Sequence, residues 1–244
     1  MAYRFATDKE DYSDLASGQV LVSAPGQPAF PVRLASEIFQ RARALLGNPA
    51  AVSLYDPCCG SGYHLAVLGF LHREALASLA ASDIDPTAAK LATRNLSLLT
   101  PEGLNQRRQA IAADWQAFGK ASHQAALASA DRLMARLAEA PALSTHIFVA
   151  DATQPGQIAA RLAHPIDMVL SDLPYGQLSA WRGEQKNQQP IWHLLEQLRP
   201  VLHEQSVVAL ATTKGKVVAH EKFGRYGRFR HGKRLITFLK PLSD

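Results

Sequence analysis

The chain has 244 residues, a length that fits one large domain or two small ones. Hydrophobic residues make up 47% and charged residues 19%, so a sizeable core can be buried and a disordered polymer is excluded. Lys plus Arg (26) exceeds Asp plus Glu (21), a net charge of +5 whose location matters more than its size.

The first residues, Met1 to Glu10, are polar and lack the pattern of a signal peptide. No run of about 18 apolar residues occurs, so no membrane span and a soluble, cytoplasmic protein are expected. A turn-rich stretch, Ser23 to Pro28, precedes a predicted helix from Pro31 to Leu46, where Leu34, Ile38, Ala42 and Leu45 recur at helical spacing. Gly47-Asn48-Pro49 stops it.

From residue 51 short apolar runs alternate with helical patterns. Strands are predicted at Ala51–Tyr55, Leu76–Ser82, Thr145–Ala150, Ile166–Ser171, Ser206–Thr212 and Arg234–Leu239. Helices are predicted at Tyr63–Glu74, Pro86–Leu99, Gly156–Ala163 and Ile191–Leu202. This β-α order, with strands apolar on both faces, specifies an α/β fold with a doubly wound, mainly parallel sheet. Thr100 to Leu143 is too long for a structureless link and reads as an inserted pair of helices. The chain therefore divides into an N-terminal extension with a helix (1–50) and a main domain (51–244) carrying a helical insertion (100–143).

In such a sheet, ligands bind beyond the carboxyl ends of the strands. The first strand runs into Asp56-Pro57-Cys58-Cys59-Gly60-Ser61-Gly62, glycines at a strand-to-helix turn that let the backbone approach a ligand. The dinucleotide fingerprint fails, because Leu65 stands where its third Gly or Ala belongs, so a nicotinamide oxidoreductase is disfavoured. The acid at Asp56 suits a cationic or hydroxyl-bearing ligand. The second strand runs into Asp83-Ile84-Asp85-Pro86, with Asp83 placed to bind ribose hydroxyls and Asp85 to cap the next helix. The third is followed by Asp151-Ala152, where the acid suits either an adenine amino group or a capping role. The fourth leads into Asp172-Leu173-Pro174-Tyr175-Gly176: an acceptor, a rigid corner and a flat face on which a base can stack. Four acid-bearing strand ends in register are far more specific than one.

Together these motifs, over about residues 51–212, resemble the class I S-adenosylmethionine-dependent methyltransferases with their Rossmann-like fold. The resemblance implies a cofactor site of Asp56, Cys58, Gly60, Gly62, Asp83, Ile84, Asp151, Ala152 and Asp172. Asp172 to Tyr175 is similar to the Asn/Asp-Pro-Pro-Tyr/Phe motif of base-nitrogen methyltransferases, with Leu173 in place of the first Pro. It implies catalytic roles for Asp172, Pro174 and Tyr175. The double-Cys loop and the length narrow the resemblance to antibiotic-resistance 23S rRNA guanine-N1 methyltransferases of the avilamycin type. That family implies 23S rRNA or the large ribosomal subunit as partner, with no membrane and no obligate protein partner. Spacing alone leaves open guanine N2, or an amino nitrogen of DNA adenine or protein glutamine. A non-catalytic RNA-binding scaffold is the remaining alternative.

The basic residues point to nucleic acid independently. Lys214, Lys216, Lys222, Arg225, Arg228, Arg230, Lys233, Arg234 and Lys240 face only Glu221 in that stretch, with Phe223, Tyr226 and Phe229 interleaved. Cations contact phosphates and aromatic faces stack on unpaired bases, so this segment is expected to be a glycine-loosened RNA-binding loop. Arg107-Arg108 and Arg182 to Lys186 are expected to extend it. Cys58 and Cys59 read mainly as packing residues, as does His64, and the histidines form no recognisable metal spacing.

Overall fold

The computed structural model describes residues 3–22, 29–173, 189–213 and 215–243. The apolar runs form strands β1 (Val52–Asp56), β2 (Leu76–Asp83), β3 (Ser144–Val149), β4 (Ile166–Asp172) and β5 (Leu202–Thr213). These five pair in parallel. Two more, β6 (Phe223–His231) and β7 (Arg234–Pro241), complete a seven-stranded sheet in the order β3-β2-β1-β4-β5-β7-β6. Strand β7 runs antiparallel to both neighbours. The strand order reverses between β1 and β4, the switch point where open α/β sheets place their ligands.

Helices α1 (Val32–Leu45), α2 (Tyr63–Leu71), α3 (Pro86–Ser97), α4 (Pro101–Phe118) and α5 (Ala121–Ala138) share one large core with one face of the sheet. Helix α6 (Pro190–Leu198) packs on the other face with Ile158, Phe223 and Leu239. Local chemistry sets the boundaries. Asp85 accepts the Thr87 N–H ahead of α3, and Thr100 accepts the Gly103 N–H ahead of α4; each helix opens on a proline. Every residue of α2 from Tyr63 to Phe70 is buried. A helix apolar all round needs cover on all sides, and α5 with residues 13–21 supplies the outer layer. The insertion is thus a pair of helices that roofs α2.

Two expectations are corrected. Residues 156–163 form hydrogen-bonded turns rather than a helix. Gly156 sits at φ +75°, and side chains take backbone N–H groups there: Gln157 from Asp151, Asp151 from Thr153 and Gln197 from Gly156. The basic stretch after residue 222 is not a loop but the β6–β7 hairpin. Its glycines hid β6, and a register shift between Arg225 and Gly227 breaks the alternation by which a strand is recognised. The bulge sends Phe223 into the α6-side core and Phe229 into the opposite one. Among the described residues no helix is long and apolar enough to cross a membrane.

Candidate functional site

Because β1 and β4 are neighbours, their terminal acids Asp56 and Asp172 come to the same end of the sheet at the switch point; Tyr55 pairs with Val169, so Asp172 stands two residues beyond the level of Asp56. Their environments differ sharply. Asp56 is completely buried. One carboxylate oxygen accepts the Cys58 N–H (3.0 Å) and the Ser171 hydroxyl (2.6 Å), and the other lies 3.0 Å from His64 Nε2. Burial disfavours the His64 imidazolium, but the Asp56 charge and hydrogen bond outweigh it and raise the histidine pKa above its ordinary value. Asp56, expected to face a ligand, instead lies one layer beneath the surface and shapes the turn above it.

That turn is tied to β2. Cys59 N–H donates to Ser82 O (2.9 Å), Gly60 N–H to the Asp83 carboxylate (2.9 Å), and Gly62 N–H to Cys59 O (2.8 Å). Gly60 and Gly62 both have left-handed backbone, φ +53° and +67°. A Cβ on Gly62 would come within 3.0 Å of Ala92 in α3. The glycines thus serve a strained, tightly packed turn.

Asp83 also accepts the Asp85 N–H (2.9 Å) and is only partly buried. Burial pushes its pKa up, and the Gly60 and Asp85 N–H bonds do not fully offset that. A carboxylate has about four lone-pair sites, so Asp83 retains acceptor capacity toward hydroxyls; Ile84 beside it is half-buried. Ala150 N–H donates to Asp83 O (3.1 Å), which brings the β3 end to the same place. Asp151 spends one oxygen on the Thr153 N–H (3.0 Å) and hydroxyl (2.6 Å), while Ala152 is buried. Asp151 thus closes a local turn onto Thr153, and with no helix following at 156–163 it caps none. Burial first, then the charges of Asp56 and Asp83, hold the Cys58 thiol protonated. The same forces act on Cys59. Among the described residues no cluster suits a metal ion.

Asp172 closes β4 on the open side of the site, its side chain 23% exposed. Arg234, the first residue of β7, faces it as a fork: Nε is 3.4 Å from Oδ1 and Nη2 3.3 Å from Oδ2. Phe30 packs against both basic side chains of the site, its ring 4.9 Å from the Arg234 guanidinium and 5.6 Å from the His64 ring. The departure from the Pro-Pro motif has a physical reason. Leu173 N–H donates to Ala211 O (3.0 Å), extending the β4–β5 ladder by one bond that a proline could not make. Pro174, Tyr175 and the Arg182 to Lys186 cations lie outside the described residues.

The basic residues separate into groups. Lys216, Arg225, Arg228, Arg230 and Lys233 are exposed and Lys222 is half-buried, whereas Lys214 lies outside the described residues. Arg234 leaves this group for the site beside Asp172. Phe223 and Phe229 are core residues and offer no stacking face, because the bulged strand turns both inward; only Tyr226 is exposed, with Lys240 5.3 Å above its ring. Arg107 is spent on the carbonyls of Gln19 (2.7 Å) and Val20 (3.0 Å), and Arg108 on Asp131, so neither extends a basic surface as expected. Sequence reasoning missed Phe30 and Ser171 and gave His64 only a packing or capping role. Ser171, next to Asp172 in the motif, was the one with a signal to find.

Comparison with known proteins gives concordant results. A family model described as rRNA methyltransferase AviRa matches residues 1–234. The chain is 49% identical over 218 residues to a Streptomyces viridochromogenes protein named 23S rRNA (guanine(2535)-N(1))-methyltransferase, covering 88% of this chain and 87% of that one. A solved structure of rRNA methyltransferase aviRa from Streptomyces viridochromogenes superposes with a TM-score of 0.89 at 44% identity, covering 98% of this chain and 96% of that one. TrmN from Thermus thermophilus shares the fold, with a TM-score of 0.55 at 16% identity over 89% of this chain and 51% of that one.

Proposed function

The chain belongs to the AviRa family of rRNA methyltransferases, and on that premise we propose that it transfers a methyl group from S-adenosylmethionine to N1 of a guanine in 23S rRNA. The observation that carries this reading is Asp172, a carboxylate held on the open side of the switch point beside a buried acid network. The relative from Streptomyces viridochromogenes is named for that reaction.

The strand ends fit such a cofactor. Asp83 would accept the ribose hydroxyls with the acceptor capacity left by Gly60 and Asp85. Gly60 and Gly62 would let the main chain meet the methionine portion. Ile84, Asp151 and Ala152 would flank the adenine. The Asp56 role is indirect: its bond to the Cys58 N–H holds the turn, and the Ser171 hydrogen bond and the His64 side chain 3.0 Å away hold Asp56. When bound, the cofactor supplies an electrophilic methyl group on a sulfonium sulfur, and the protein supplies orientation.

Guanine N1 carries a proton that has to leave, and Asp172 is the group we assign to accept it. Tyr175 would stack on the base and Pro174 would stiffen the corner. A base inside a duplex must first be extruded at a cost of a few kcal/mol, so a loop or strained helix is the favoured substrate. Lys216, Lys222, Arg225, Arg228, Arg230 and Lys233 would hold the phosphates around it. A methyl group on N1 removes a donor and adds bulk at the pairing edge, which would protect a ribosome against an antibiotic of the avilamycin type.

The test uses purified protein, tritiated S-adenosylmethionine and 23S rRNA from a strain lacking this gene, followed by digestion to nucleosides. Label is expected in 1-methylguanosine and lost in Asp172→Ala. Label in N2-methylguanosine, DNA or protein would overturn the assignment of N1.

A further inference from the structure

We propose that Arg234 is the cation that receives the negative charge of the target guanine, passing a hydrogen bond from the Asp172 carboxylate to guanine O6 as the N1 proton passes to Asp172. The inference rests on the reading of Asp172 as proton acceptor.

Topology brings the two residues together from opposite directions. Asp172 ends a parallel strand, whereas Arg234 begins the antiparallel strand β7 and pairs with Thr213 at the end of β5. Both side chains reach the same rim, 23% and 20% exposed, so the pair opens on the site instead of being sealed in the core. The separations of 3.3 and 3.4 Å are longer than the usual 2.7–3.2 Å of an N–H···O bond. An incoming acceptor can therefore compete for the guanidinium. Phe30 backs its plane at 4.9 Å and keeps the cation in place while a partner changes.

The chemistry requires such an exchange. When the N1–H bond breaks, its electron pair stays on the ring and the proton forms an O–H bond on Asp172. The charge formerly on the carboxylate now resides on the N1–C6–O6 system, largely on O6, the oxygen carried by N1's neighbour C6. An arginine that continued to face Asp172 would favour the ionised acid and oppose the transfer. An arginine that follows the charge to O6 lowers the barrier, because a preorganised donor acts strongly where water is excluded. An acceptor with a guanidinium 3.3–3.4 Å away suits a base whose acidic N–H stands beside a carbonyl oxygen. A purely structural Arg234 would only hold Asp172 still.

The experiment compares wild type, Asp172→Asn, Arg234→Ala and Arg234→Lys in single-turnover methylation of a 23S rRNA fragment that wild type methylates. Each is measured across about pH 6 to 9, with guanine or 6-thioguanine at the target. The thio base has a more acidic N1–H and a poorer acceptor at position 6. Arg234→Ala should lose about 10- to 100-fold in rate on guanine, regain part of it at alkaline pH, and show a deficit at least several-fold smaller on 6-thioguanine. Arg234→Lys should fall between. A deficit independent of pH and of the base, with the cofactor affinity measured by calorimetry unchanged, would assign Arg234 to positioning and overturn the inference. If Arg234→Ala does not fold, the same comparison is read on Arg234→Lys. Failure of wild type to methylate N1 of any guanine overturns the parent reading. Loss in Asp172→Asn with pH- and base-independent loss in the Arg234 variants overturns this inference alone.

Discussion

His64 offers the sharpest quantitative test of the buried layer. Asp56 has no accessible surface, and His64 Nε2 lies 3.0 Å from its carboxylate. Removing one partner of a buried pair leaves the other charge stranded, at a cost of about 3–5 kcal/mol. Asp56 keeps two donors, Ser171 Oγ and Cys58 N–H. The lower end, about 3 kcal/mol, is therefore expected for His64→Ala. For a chain of this size that corresponds to a fall in Tm of about 6–12 °C. Asp56→Asn in the same background removes the stranded charge and should recover part of the loss.

The pair also fixes a pH dependence. The His64 pKa is raised in the folded protein, because the Asp56 charge overcomes the burial that would lower it. The folded state therefore holds more protons than the unfolded one between the ordinary value of about 6.5 and the raised value. The stabilisation is complete below about pH 6.5 and is lost as pH rises through the folded pKa. Urea unfolding at a series of pH values should show this slope in wild type and its loss in His64→Gln, which keeps a donor but no charge. A cost below about 1 kcal/mol for His64→Ala, with the slope intact, would refute the ion pair.

Gly62→Ala combines a left-handed backbone with a Cβ 3.0 Å from Ala92. About 1–2 kcal/mol of backbone strain plus about 1 kcal/mol or more of overpacking is expected, together with weaker S-adenosylmethionine binding in calorimetry. Unchanged stability and affinity would show that the turn can relax. Buried Glu37 accepts the N–H groups of Arg4, Phe5 and Ala6 and pairs with Arg41. Burial opposes its charge, but these donors hold its pKa below normal, so its stabilisation is present above the unfolded value and lost as pH falls through the folded one. Glu37→Gln should expose the first residues to limited proteolysis at neutral pH, and full resistance would refute the anchoring role. Replacing Arg225, Arg228 and Arg230 together by Ala should flatten the salt dependence of RNA binding, because every phosphate left without its cation takes about 0.7–0.9 off the log–log slope. An unchanged slope would move the RNA surface elsewhere.

What was legible in the sequence is what local pattern determines. Asp85 before Pro86 announced a helix start, and the apolar runs announced five parallel strands, because both signals sit within a few residues of their effect. The strand-end acids were legible because the fold class places strand ends at the ligand. Strand β6 was not, since glycines and a bulge erase alternation while the pairing with β7 is made at a distance. Nor could the sequence separate buried acids from accessible ones. Asp56 and Asp172 look equivalent as letters, and only the neighbours brought by other strands and helices tell them apart. Arg234 was grouped with phosphate-binding cations for the same reason: its partner is 62 residues away.

The switch point explains why those neighbours are needed. Adjacent parallel strands that both end in Asp bring two acids to one end of the sheet. The structure gives each acid its own basic partner, buried His64 for Asp56 and partly exposed Arg234 for Asp172. Phe30 packs against both of these partners and adds apolar surface beside each. The division matters because the two carboxylates have opposite duties. Asp56 is a fixed acceptor for the Cys58 N–H and the Ser171 hydroxyl. Asp172 has to give up its charge when it takes a proton. A titratable partner that is itself buried and paired suits the first duty, and a permanently charged partner at the cleft, able to turn to another oxygen, suits the second. Exchanging the cations by His64→Arg with Arg234→His should therefore lose methyl transfer even where the protein folds, and activity at the wild-type rate would show that charge alone, not its placement, is what the site requires.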